Sequence, residues 1–139
     1  MSQENVETIR WIYDRWERER QIDVREFDPE FEMRTPSMKL EERTHRGYEG
    51  YRAWRADNEE VTSENWFEAE SFRDLGDHVL VSGWVRLTGK SSGVQTRDPY
   101  VQLWSFRGGK PSRMEVFRTP EEALEAVGLS EQDAHADSS

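Results

Sequence analysis

Three kinds of side chain in this sequence could carry chemistry: closely spaced carboxylates, scattered histidines and a set of large aromatics. Glu68 and Glu70 lie two apart in a stretch patterned like a strand, so both would project from one face. Paired carboxylates can do general acid–base work, although a solvated strand face accounts for these two more simply. His45, His78 and His135 are far apart, and none is paired at metal-ligand spacing, so no metal centre is expected. No Ser-His-Asp motif is visible, and the lack of cysteine removes disulfide and thiolate chemistry. The aromatic set is Tyr13, Trp16, Tyr51, Trp54, Tyr100 and Trp104. Such residues form a core or line an apolar cavity.

The elements that must position them can be read from periodicity. Val6, Ile9, Tyr13 and Trp16, with Ile12 beside them, form one face of a helix running to about Arg20. A weaker helical pattern covers Gln21 to Phe27 and stops at Asp28-Pro29, because the residue before proline avoids helical angles. Phe31 and Met33 alternate with charged residues in a short strand ending at Thr35-Pro36. Residues 37–46 are polar without period and read as a loop. Tyr48, Tyr51 and Trp54 mark a helix from about Tyr48 to Glu60. Strands follow: Trp66–Phe72, then a long one in which Val79, Val81 and Gly83 share one face and Leu80 and Trp84 the other. The last two, about Val94–Phe106 and Ser112–Arg118, form a hairpin across Gly108-Gly109, since adjacent glycines supply positive φ without steric cost. Pro99 marks a bulge or an edge. Thr119-Pro120 caps and starts a short helix, and Gly128 ends it. Helices first and strands after is an α+β order.

At 139 residues the chain can bury a real core, and 12% aromatic content argues against disorder. The net charge is −10, of which six acids and no Lys or Arg follow Arg118, leaving about −4 before them. That balance lacks the basic footprint of nucleic-acid or anionic-membrane binding. There is no signal-peptide pattern and no apolar run of bilayer length. A cytoplasmic protein is expected, with residues 1–130 as one domain and 131–139 as a polar tail.

Several segments together resemble the NTF2-like superfamily, and its bacterial SnoaL-like, ketosteroid-isomerase-like branch above all. They are the Tyr13/Trp16 helix, Asp28-Pro-Glu-Phe-Glu, His45-Arg-Gly-Tyr-Glu-Gly, Asp74-Leu-Gly-Asp-His-Val, Leu103-Trp-Ser-Phe-Arg-Gly-Gly-Lys and Glu121-Glu-Ala-Leu-Glu-Ala-Val-Gly-Leu. The resemblance spans about residues 3–130 and implies a cystatin-like cone, a curved antiparallel sheet wrapped around the N-terminal helix. Tyr100, Gln102, Trp104, Met114, Val116 and Arg118 would then face a conical cavity. Tyr13, Trp16, Tyr51 and Trp54 would close it from the helices, and Gly83 would leave room on the neighbouring strand. Leu80, Trp84, Val101 and Leu103 would face outward on the convex side, the face through which members commonly form homodimers.

The resemblance also implies where catalytic groups would stand. Steroid isomerases use a carboxylate base opposite an oxyanion hole made of a tyrosine and a protonated acid. Here the base position falls on Thr35, the acid position on Gln102 and the tyrosine on Ile12 or Tyr13. Thr35 cannot take a proton at neutral pH and Gln102 cannot give one, so that chemistry is not expected. Arg97-Asp98 is similar to the Arg and Asp of epoxide-hydrolase relatives, but adjacent strand residues face opposite sides unless Pro99 adds a bulge. The fold hosts many chemistries and non-catalytic modules alike. The expectation is a protein that binds or transforms an apolar cyclic small molecule through Gln102, Tyr13 and Arg118, with no cofactor. The alternative is a non-catalytic homodimeric module whose cavity is filled by its own aromatics.

Overall fold

A computed structural model describes residues 2–19, 27–36 and 42–128. The second short helix expected before Phe27, the segment 37–41 and the tail at 131–139 lie outside the described residues, as do the side chains of Trp16 and Thr35.

Helix α1 (Ser2–Glu19) leads into β1 (Glu32–Pro36), β2 (Glu42–Arg46), α2 (Gly47–Val61), β3 (Thr62–Asp74), β4 (His78–Gly89), β5 (Gln95–Arg107), β6 (Lys110–Phe117) and α3 (Pro120–Ala126). The strands form one sheet in the order β2-β1-β6-β5-β4-β3, antiparallel except for the parallel β1–β6 pair. The sheet curls into a half-barrel with a helix, the α+β cone the sequence predicts. Strand β2 corrects the loop expected at 37–46. Its residues, Glu42-Arg-Thr-His-Arg46, show no apolar alternation, and their backbone pairs antiparallel with β1.

Local chemistry accounts for the turns. Gly108 and Gly109 both hold positive φ, as a two-residue primed turn between β5 and β6 requires. The Thr119 hydroxyl accepts from the Glu122 backbone N–H at 3.2 Å, and Pro120 stands where its missing N–H is no loss. Pro99 produces no bulge, being in register with Trp84, and it lies in the part of β5 that precedes the first β6 pairing at Val101. It is therefore an edge proline.

Two apolar layers hold the sheet. On the concave side Ile9 and Ile12 of α1 meet Val79, Val81, Trp104 and Met114, with Phe27, Phe31, Met33, Tyr51 and Phe67 completing the layer. On the convex side Leu80, Val101 and Leu103 are covered by Ala123 and Leu124 of α3. The expected outward set is thus corrected in part. These three do face the convex side, but at 0%, 3% and 1% exposure they are covered by their own chain and form no free surface. Trp84, beyond the reach of α3, stays half-buried with the Arg97 guanidinium 4.2 Å from its ring centre.

Strand β3 carries two irregularities opposite β4, which leave Ser63 and Glu70 without partners. The second returns Phe72 to the side occupied by Phe67, so both rings reach the concave core despite their odd spacing. It also corrects the role of Gly83. A Cβ there would lie 1.9 Å from the Glu68 carbonyl oxygen. The space left by the missing side chain is filled by the β3 backbone, not by cavity.

Candidate functional site

The concave face of β5 presents Trp104, Gln102 and Tyr100 in succession, beside Val79 and Val81 of β4 and Met114 and Val116 of β6. Burial falls along this row. Trp104 is 3% exposed, Gln102 8%, Tyr100 is half-buried and Asp98 is exposed. The same gradient runs from Met114 through half-buried Val116 to exposed Arg118. The cone therefore closes around Trp104 and opens toward Asp98 and Arg118.

The closed end is an aromatic cluster. Phe31 stacks on Trp104 at 6.1 Å, and Phe27 and Tyr13 meet it edge-on at 5.9 and 6.2 Å. The indole N–H of Trp104 donates to the Tyr13 hydroxyl at 3.1 Å, so each buried polar atom serves the other. Burial pushes the Tyr13 phenol far above its ordinary range; the Trp104 bond offsets this in part and Tyr100 adds to it. Burial likewise raises Tyr100. Both phenols are neutral hydrogen-bonding groups throughout the physiological range.

Gln102 differs from its neighbours. It is flanked across the sheet by Val81 and Val116 and along the strand by Tyr100 and Trp104, and its Oε1 is buried without a hydrogen-bond partner. Its amide nitrogen also bonds to none of the described residues. Buried polar groups are nearly always paired, and an unpaired one costs about 1–3 kcal/mol. The Tyr13 hydroxyl is not its partner, since it serves Trp104.

Most of the predicted residues converge. Tyr13, Tyr100, Gln102, Trp104, Met114 and Val116 share the concave face. Tyr51 is buried on α2 with Trp54 half-buried at 6.0 Å, both joined to the same core. Thr35 has its backbone in β1 and Trp16 in α1. Arg118 is exposed just past β6 and makes no ion pair among the described residues. Sequence reasoning missed Phe27 as a wall of the closed end, having placed it in a helix. The one available signal was the Asp28-Pro29 turn between two phenylalanines, where Asp28 Oδ1 accepts from the Glu30 N–H at 2.8 Å.

The other chemistry-bearing residues have structural roles. Glu68 bonds Arg86 at 2.6 Å and meets Arg97 at 3.6 Å, while Glu70 is the extra, exposed residue of the irregularity. They do not form an acid–base pair. His78 Nδ1 and Ser105 Oγ share a 2.9 Å hydrogen bond on the convex side. They border an open polar depression of about 720 Å³ together with Glu32, Arg46, Arg107 and Arg113, and none of the predicted pocket residues lines it. No group of three potential metal ligands occurs among the described residues, and no described helix is long and apolar enough to cross a membrane.

No protein-family model matches the sequence, and no curated protein matches it either. Solved structures do. An NTF2-like protein of unknown function from Burkholderia pseudomallei has a TM-score of 0.72 at 20% identity, covering 91% of this chain and 98% of that one. TerC, crystallised with polyporic acid, has a TM-score of 0.71 at 24% identity, covering 88% and 96%. A Jannaschia protein named as SnoaL-like has a TM-score of 0.64 at 20% identity, covering 90% and 91%. At these identities the likeness establishes architecture. The chain has the NTF2-like fold, the α+β cone also found in SnoaL-like and ketosteroid-isomerase-like proteins.

Proposed function

We propose that this protein binds an apolar, cyclic small molecule on the concave face of the sheet, at the level of Gln102. The observation that carries this reading is the Gln102 amide, more than nine-tenths buried and without a partner among apolar and aromatic neighbours. A buried amide oxygen without a partner in the protein is suited to a donor on a ligand. Tyr100 and Val116 flank it, and Tyr51 and Trp54 belong to the same apolar core. TerC, of the same architecture, is crystallised with polyporic acid, which supports small-molecule binding as such. An isomerase, cyclase or dehydratase step on this ligand would proceed through orientation and hydrogen bonding to a developing oxyanion. Gln102 and the permanently protonated Tyr13 and Tyr100 are the groups suited to it.

A second reading has its own support. The closed end is filled by Trp104 among Tyr13, Phe27 and Phe31, which fits a non-catalytic homodimeric module with a self-filled cone. Such a dimer would use the convex face around Trp84, because Leu80, Val101 and Leu103 lie under α3. Native mass spectrometry of the purified protein, followed by denaturation to release bound molecules, tests the first reading. A small molecule carried by the wild type and lost in Gln102→Leu is expected. A dimer free of adducts, with no thermal shift from a panel of apolar cyclic compounds, would favour the second.

A further inference from the structure

The Gln102 amide has two ends, and both are open. A primary amide offers a carbonyl acceptor and an N–H₂ donor side by side in one plane. Had only the oxygen lacked a partner, any single hydroxyl would satisfy it. Here neither end bonds to a described residue. Its cross-strand neighbours are Val81 and Val116, and its neighbours on the same strand face are Tyr100 and Trp104. None of these carries a charge, and the Tyr100 phenol stays protonated.

These facts restrict the ligand. An ionised carboxylate would set a second acceptor against Oε1, with no cation among the neighbours on its own and the flanking strands, which is unfavourable. An ammonium would face the N–H₂ group in the same way. A lone ketone would leave Oε1 unpaired, and a lone hydroxyl, though it can both donate and accept, cannot meet both ends of the planar amide with good geometry, so each forfeits part of the gain. A planar neutral group that presents N–H or O–H beside C=O pairs both ends at once, as one amide pairs with another.

We propose, building on the small-molecule reading above, that Gln102 selects ligands carrying a neutral donor–acceptor edge of the lactam type on a flat, apolar ring system. The aromatic walls then recognise the ring faces and the amide recognises the edge. Selectivity of this kind depends on leaving the wrong ligand's partner unsatisfied, which discriminates more strongly than apolar fit alone.

Four probes of nearly equal size separate the terms: carbostyril (a fused-ring lactam with N–H and C=O side by side), β-naphthol (a single hydroxyl), quinoline (acceptor only) and naphthalene (neither). Equilibrium dialysis near neutral pH against wild type, Gln102→Leu and Gln102→Met reads all four. Carbostyril is expected to bind the wild type about tenfold or more tightly than naphthalene, as two hydrogen bonds imply, with the single-ended probes between them. In both variants the four affinities should collapse to within about twofold. Two apolar replacements keep the test open if one of them folds poorly. Equal affinities for the wild type, or a carbostyril advantage that survives in the variants, would overturn the donor–acceptor assignment and leave the pocket standing. Failure of all four to bind would overturn the pocket reading itself.

Discussion

Replacing Gln102 by leucine should make the protein more stable while removing its ligand. The amide is 8% exposed, bordered by Val81, Val116, Tyr100 and Trp104, and unpaired. Leucine has a similar size and no polar atom, so the substitution relieves the desolvation penalty of an unsatisfied group, about 1–3 kcal/mol. For 139 residues the unfolding entropy near 60 °C is about 0.29 kcal/mol per kelvin. The expected rise in Tm is then about 3–10 °C. The assay is differential scanning calorimetry on wild type and variant, both unfolded, washed and refolded so that no bound molecule stabilises the wild type. A variant that melts at or below the wild-type temperature would refute the reasoning, because it would show that the folded protein already satisfies the amide. Such a gain would place Gln102 among residues kept for function at a cost in stability.

Three other substitutions probe the frame. Gly83→Ala sets a Cβ 1.9 Å from the Glu68 carbonyl, so β3 must retreat; a loss of about 1–3 kcal/mol or more is expected in urea unfolding, and a loss under about 0.5 would show that the strand yields freely. Tyr13→Phe strands the buried Trp104 N–H without an acceptor, for an expected loss of about 1–3 kcal/mol; a double-mutant cycle with Trp104→Phe should show coupling, and strict additivity would deny the bond. Burial holds the His78 imidazole below its ordinary value of 6.5, with Arg113 reinforcing and Asp77 and Glu115 opposing. The unfolded chain therefore takes up that proton first, so the contribution is present above pH 6.5 and declines as pH falls below it until the folded imidazole also protonates. His78→Gln should flatten the dependence of Tm on pH across that interval, and an unchanged slope would count against it.

What the sequence disclosed was local. Helix α1, the Gly108-Gly109 hairpin and the Thr119-Pro120 start of α3 follow from periodicity and backbone preference within a few residues, and each appears where it was read. The family resemblance then placed Tyr100, Gln102 and Trp104 on one face, in agreement with their shared register. What escaped was relational. Strand β2 has no pattern of its own and exists because β1 lies opposite. The unpaired Glu70 depends on a glycine that lies on another strand. That α3 would fold back over Leu80, Val101 and Leu103 is a docking choice that no spacing encodes. Gln102 Oε1 is the extreme case, since a missing partner shows only once the strands around it are placed.

Strand β3 is an edge of the sheet, so one side of its backbone has no strand beside it among the described residues. A straight edge thirteen residues long would be a template for the same strand of another copy. The offsets at Ser63 and Glu70 divide it into short lengths whose amides fall out of step, and Glu70 adds a charge at the break. Gly83, by admitting the Glu68 carbonyl, is what lets the second offset form. One missing methyl group on an interior strand thus works against strand-to-strand pairing at this edge.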